Sequence, residues 1–406
     1  MPTKIFPPNE HFRVTMYATS LIGLWPCIFE DNDFLNRIYK IYSIFIFTVA
    51  VCVTYCTDFK LFSLVTDEVL FLDEAVENLC ISCLHTMILI RAHRLKSKSV
   101  TKIVRRILTI EEEIYKSEDE AIIRIYNSYA SQSRLSNMFY IIIVYLATLF
   151  YIIHPVFLGD IVKYYPSKNL TVYERPLPLK TWFPFEKQNH YVLSYVLEVC
   201  GGCVVATFVI FVDIFNFSII IFPLGQIQIL KYTLQNFNTY ASRLQSREDC
   251  SRDRASFLTL RGCILKHKDI ISYVSEVNDA MRNVMVLDVL QSSVQLAASM
   301  LQLVMAEQKL ENDLKAGQFI ASMLTRLTIY YWYANEIAEQ SSDIASSVYD
   351  NEWYNQSEEV KKMMCMVMLR CKKGIGLEIG TFRIMTLKTL LSILKGAYSY
   401  MTVVYK

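Results

Sequence analysis

Two long stretches of this chain carry no Asp, Glu, Lys or Arg, Ile41 to Thr57 and Leu135 to Leu158. Runs this long and this apolar bury poorly in a water-soluble domain. In lipid their backbones can satisfy their own hydrogen bonds only as helices. Five further stretches approach the ~20 residues that cross hydrocarbon. They run from about Val69 to Ile90, from Tyr191 past Phe222, from Val284 to Met305 at the end of a helix starting near Cys263, from Ala316 to Glu339, and from Phe382 to Tyr405. The chain is 53% hydrophobic and only 20% charged, with a mean hydropathy of +0.27, which favours a membrane bundle over soluble domains. The expected architecture is one all-α polytopic domain over 1–406, a seven-transmembrane helical bundle.

Loop charge orients it. Lys and Arg crowd three connections: between spans two and three (Arg91, Arg94, Lys96, Lys98, Lys102, Arg105, Arg106), between four and five (Lys231, Arg243, Arg247, Arg252, Arg254, Arg261), and before span seven (Lys361, Lys362, Arg370, Lys372, Lys373). The alternate connections are poorer, loop one holding only Lys60. The positive-inside rule then places the N-terminus in the cytoplasm and the C-terminus outside, with long cytoplasmic helix extensions. The first residues, MPTKIFPPNE, hold no apolar leader. Of three sequons, Asn169-Leu170-Thr171 falls outside and is the expected glycosylation site; Asn216 falls within a span and Asn355 inside. Gly201, Gly202 and Pro223 are expected to interrupt span four, and no proline follows Pro223 to kink the later spans.

Several functions are disfavoured. The net charge of +2 gives no field for nucleic acid, and the six histidines are dispersed without metal spacing. The two C-x-x-C pairs, Cys80/Cys83 and Cys200/Cys203, lie one helical turn apart inside spans, where small packing residues are the simpler reading. No catalytic constellation, phosphate loop or nucleophile elbow is present, so an enzyme, a metal and an organic cofactor are not expected. The orientation is opposite to that of a G-protein-coupled receptor, and the Asn-Pro motif of that class is missing. Ionisable residues inside spans, Glu198, Asp213, Asp288 and Arg326, are expected to pair internally.

The last third holds two further patterns. Asn355 and Glu358 suit a capping box opening a helix whose apolar positions, Val360, Met363, Met364, Val367, Met368 and Cys371, form one stripe. That stripe can pack on the chain's own helices or against other subunits. In span seven, Lys388, Ser392, Gly396, Ser399 and Val403 share one face of an otherwise apolar helix, and a small, polar face in lipid must meet protein or water.

The segment from Tyr330 to the end resembles the C-terminal region of insect odorant receptors. The matching elements are Asn335-Glu336, Ser341-Ser342, Tyr349, Trp353-Tyr354, Ser357-Glu358-Glu359 with Lys361, and Tyr398-Ser399-Tyr400. The related gustatory receptors end differently, and the connection Lys231 to Arg261 is too short for the insertion of the shared coreceptor. The resemblance is therefore to an odour-tuning subunit. It implies a heterotetramer with the coreceptor around one cation pore, in the plasma membrane of a sensory neuron, opened by an apolar volatile. It also implies an odour pocket in the outer half of spans one to six (1–340), an inter-subunit helix within 341–379, and a pore-lining span seven within 380–406, gated near Val403.

For the pocket, depth and helical spacing select Phe71, Ala75 and Asn78 from span two, and Tyr145, Thr148, Leu149 and Ile152 from span three. They select Tyr195, Val199 and Cys203 from span four, and Gln318, Phe319 and Ser322 from span six. The competing readings are a gustatory-type channel and a non-channel membrane protein, either a transporter or a metabotropic receptor. A transporter would repeat its helix breaks in two halves, and the breaks of span four have no counterpart in spans five to seven.

Overall fold

A computed structural model of the chain describes residues 10–25, 33–67, 71–165, 170–305, 310–380 and 383–404. Twelve α-helices dominate the described residues: α1 (Arg13–Leu21), α2 (Asp33–Thr66), α3 (Leu72–Leu95), α4 (Lys98–Lys116), α5 (Glu120–Phe157), α6 (Tyr191–Gln235), α7 (Phe237–Glu248), α8 (Arg252–Met305), α9 (Leu310–Ser342), α10 (Ile344–Tyr349), α11 (Glu358–Cys371) and α12 (Leu387–Val404). Two small antiparallel hairpins join them, β1 (Ile161–Tyr165) with β2 (Leu170–Glu174), and β3 (Glu378–Ile379) with β4 (Arg383–Ile384).

The seven expected spans are α2, α3, α5, α6, α8, α9 and α12. The first five of these are long and apolar enough to cross a membrane by composition alone. α9 and α12 fall outside that group, and both carry charge, Arg326 in one and Lys388 and Lys395 in the other.

α6 is the central helix. From Phe208 to Ile227 every residue is buried, because the segment is apolar all round and packs against α1, α3, α5, α8 and α9. Gly201, Gly202 and Pro223 do not interrupt it, contrary to the sequence expectation; all three lie inside one continuous helix. The glycines serve close approach instead. A Cβ on Gly201 would stand 3.2 Å from the Val53 methyls of α2, and one on Gly202 would stand 3.1 Å from Leu179 Cδ1.

α2 and α5 are peripheral. Ile41, Ile44, Phe45, Tyr55 and Phe62 of α2 are exposed, as are Leu135, Phe139, Ile142, Leu146, Leu149 and Ile153 of α5. The α5 set advances by three or four residues at each step, which is a lipid-facing stripe on a helix.

At the end of the bundle remote from the β1–β2 hairpin, α4, α7, α10 and α11 form a helical layer. Ser97 caps α4 by accepting from the Val100 amide, and Asp119 caps α5 by accepting from Ala121 and Ile122. Val100, Ile103, Val104, Ile107 and Ile114 make the buried face of α4.

α11 departs from expectation in two ways. Asn355 does not cap it; that residue lies in a 3-10 turn, and the N-cap is Ser357, whose side chain makes no capping bond. The apolar stripe is also folded onto this chain. Val360, Met364, Val367 and Cys371 are buried and Met363 and Met368 half-buried, because α8 and α10 cover that face. What α11 leaves exposed is the opposite side, with Cys365, Met366 and Leu369.

Candidate odour cavity and pore face

Five helices line a partly open apolar cavity of about 140 Å³ in the half of the bundle nearer the β1–β2 hairpin. α3 contributes Ile81, Leu84 and His85; α5 contributes Tyr140, Val144, Ala147, Thr148, Tyr151 and Ile152; α6 contributes Glu198, Gly202, Val205, Ala206 and Val209. α9 adds Phe319, Ser322, Met323 and Arg326, and α8 adds Gln295.

The segment after β2 covers the cavity with Pro178 and Leu179. Buried Glu198 holds this cover, accepting from the Leu179 amide at 2.8 Å and from the Thr181 hydroxyl at 2.8 Å, with Lys187 Nζ 3.8 Å away. Further bonds run from Asn78 to the Lys180 carbonyl and from the Trp182 amide to the Cys56 carbonyl. Such a fully bonded cover is the arrangement expected where backbone must lie over an apolar site.

Beneath the cavity sits a buried charge cluster. Arg91 pairs with Asp213 and lies 3.5 Å from Asp288, and Arg326 lies 2.8 Å from Asp288. The Tyr140 and Tyr330 hydroxyls donate to Asp213 at 2.7 and 3.0 Å. Two cations and two carboxylates thus neutralise one another inside the bundle, as internal charges must. Pairing of Asp213, Asp288 and Arg326 was expected. Arg91 was assigned to a loop, but it lies inside α3 and is 3% exposed.

Of the candidate pocket residues, Thr148, Ile152, Phe319 and Ser322 line the cavity. The others do not. Tyr145 and Leu149 are exposed, each one position off the α5 face that looks inward. Tyr195, Val199 and Cys203 of α6 miss the lining by the same helical phase error: the inward face is Glu198, Gly202, Val205, Ala206 and Val209. Tyr195 donates to the Ile152 carbonyl and Cys203 is exposed. Phe71, Ala75 and Asn78 sit one or more turns above the α3 residues that line the site, Asn78 being committed to the cover. Gln318 and Leu149 meet in a separate, shallower groove between α5 and α9.

The sequence reading missed His85, Tyr140, Tyr151, Gly202, Ala206 and Arg326. His85 and Arg326 carried a usable signal, since polar groups at membrane depth mark sites or partners.

On α12, Leu390, Ile393 and Ala397 are buried, and the helix packs on α8 and α9. Lys388, Ser392 and Ser399 are exposed on another face, and a Cβ at Gly396 would meet nothing within 4 Å. The small and polar face is therefore turned away from this chain's own helices. Val403 falls within α12, but its side chain lies outside the described residues, as does Asn169.

A bundle of long apolar helices with a partly open apolar cavity at its centre is the architecture of a helical membrane protein. Residues 72–398 match the family model described as 7tm Odorant receptor, and the chain belongs to the odorant receptor family. It is 26% identical over 297 residues to Odorant receptor 10 of Aedes albopictus, covering 71% of this chain and 72% of that one. It is 28% identical over 182 residues to Odorant receptor Or2 of Anopheles gambiae, covering 45% and 47%. The fold is similar to the olfactory receptor OR5 from Machilis hrabei in complex with eugenol, with a TM-score of 0.76, 14% identity and 96% of each chain covered.

Proposed function

We propose that this protein is the odour-tuning subunit of a ligand-gated cation channel, assembled with the shared odorant coreceptor and opened by an apolar volatile. The observation that carries this reading is the partly open apolar cavity among α3, α5, α6 and α9 in a chain of the odorant receptor family. Binding there opens the pore only to the extent that the ligand prefers the open state.

The N-terminus and the α4/α7/α11 layer face the cytoplasm of a sensory neuron, and the β1–β2 hairpin, with glycan on Asn169, faces outside. The loop charges support this orientation. The outward face of α12, Lys388, Ser392, Gly396 and Ser399, lines the cation path, and Val403 closes it by excluding water. Contacts with other subunits run through 341–379 and use the free side of α11 rather than its buried stripe.

The test is to record current from cells expressing this chain with and without the coreceptor against a panel of volatiles. Odour-dependent cation current only in the pair supports the proposal. Odour responses that survive without the coreceptor and depend on G proteins would replace it with a metabotropic reading.

A further inference from the structure

Most polar groups that line the cavity are already committed elsewhere. Arg326 bonds Asp288 and Ser292, and Tyr140 bonds Asp213. Gln295 donates to the Cys80 carbonyl and accepts from Gln291, Thr148 and Ser322 donate to carbonyls of their own helices, and Glu198 holds the cover. Two atoms differ. The Tyr151 hydroxyl has no hydrogen-bond partner among the described residues, although its ring packs near Phe319 and under Lys315. Among the described residues His85 bonds through one ring nitrogen, Nδ1 to Thr57 Oγ1 at 3.1 Å.

The Thr57 bond fixes what His85 offers. The threonine hydroxyl has one proton, and the carbonyls of Thr54 and Val53 lie 2.8 and 3.1 Å from its oxygen. With the proton on the nearer carbonyl the oxygen accepts from Nδ1, and this is the tautomer on which the proposal rests. In a neutral ring of this tautomer Nε2 is a bare lone pair, an acceptor that no described residue meets with a donor. A lone pair left unmet in an apolar site is costly, and a ligand that donates to it recovers that cost.

We propose that His85 selects ligands that are compact rings bearing one hydrogen-bond donor, a hydroxyl or an N–H, with the Tyr151 hydroxyl as a second polar contact. The cavity volume, about 140 Å³, sets the size, since apolar cavities of roughly 150 Å³ accept benzene. This inference rests on the cavity being the odour site.

The probes are phenol, benzaldehyde and toluene: one ring with a donor, with an acceptor only, and with neither. Currents are recorded from the full chain with its coreceptor. Wild type should respond to phenol at about tenfold lower concentration than to the other two, the worth of one buried hydrogen bond. His85→Asn keeps an amide near Nδ1 for Thr57 but removes the acceptor at Nε2, so it should bring the phenol-to-toluene potency ratio to about one, whatever the absolute potencies. His85→Gln, which places its amide near Nε2, should restore part of it. Equal potency of phenol and toluene in wild type, an unchanged ratio in His85→Asn, or no current from any probe would overturn the assignment. Ala206→Phe, which fills the cavity, distinguishes the two levels of failure. If it leaves volatile responses intact, the site itself lies elsewhere; if it abolishes them while His85→Asn changes nothing, only the role of His85 fails.

Discussion

Arg326 of α9 and Asp288 of α8 lie 2.8 Å apart, both almost fully withdrawn from solvent, directly beneath the apolar cavity. Arg91 and Asp213 complete a neutral foursome with them. Removing one member of such a set leaves a buried charge without compensation, which costs roughly 3–5 kcal/mol. Asp288→Asn should therefore sharply reduce surface delivery and thermal stability of the assembled receptor. The double variant Asp288→Leu with Arg326→Met leaves Arg91 and Asp213 balanced and should recover much of the loss. Surface labelling and thermal unfolding in detergent would check both. If the double variant is worse than the sum of its singles, the foursome is not held together by charge neutralisation.

The cover makes a second prediction. Glu198 accepts from two backbone amides and one hydroxyl of the segment 179–181, while Tyr191 and Ser194 of the same helix bond the Pro176 and Lys187 carbonyls on either side of it. Glu198→Ala should loosen residues 175–190, seen as faster amide hydrogen exchange there, and weaken odour sensitivity by about tenfold. Unchanged exchange in that segment would mean that the Asn78 and Trp182 bonds hold it without Glu198.

Much of the architecture was readable because its signals are additive over many residues. Uncharged runs such as Leu135 to Leu158 announced spans, and motifs from Asn335 to Tyr400 indicated the family. Local signals failed where packing decides. Helical phase is weakly written in α6, which is largely apolar on every side, so Val199 and Cys203 were chosen one position away from Glu198 and Gly202, and Tyr195 three positions before Glu198. On α5 the lipid-facing stripe through Leu149 is as apolar as the cavity-facing one through Thr148 and Tyr151, and only the structure separates them. Arg91 was counted as a loop charge because its partners, Asp213 and Asp288, stand 122 and 197 positions away in sequence.

The pore reading is tested at Val403. If its side chain helps exclude water from a closed pore, Val403→Ser should raise the unliganded current of the channel assembled with the coreceptor. The increase will be partial, because other subunits supply the rest of the ring. Basal current and ion permeability both equal to wild type would leave α12 with a packing role only.

Topology is tested by mass. Asn169→Gln should abolish the glycosidase-sensitive shift, and Asn355→Gln should leave it unchanged. Glycan on Asn355, which lies beside α11, would reverse the orientation drawn from the loop charges.

The central claim is that the cavity among α3, α5, α6 and α9 receives the odour, and the most direct measurement is a dose–response curve for Ala206→Phe. Ala206 faces the cavity, so a phenyl ring there occupies the space a ligand needs. The account predicts that any volatile opening the wild-type channel loses potency by at least about tenfold in this variant, with surface delivery preserved. Phe319→Ala should weaken responses as well, whereas Tyr145→Ala, on the exposed side of α5, should respond like wild type. A wild-type curve for Ala206→Phe, or a loss of response in Tyr145→Ala as large as in Phe319→Ala, would contradict it.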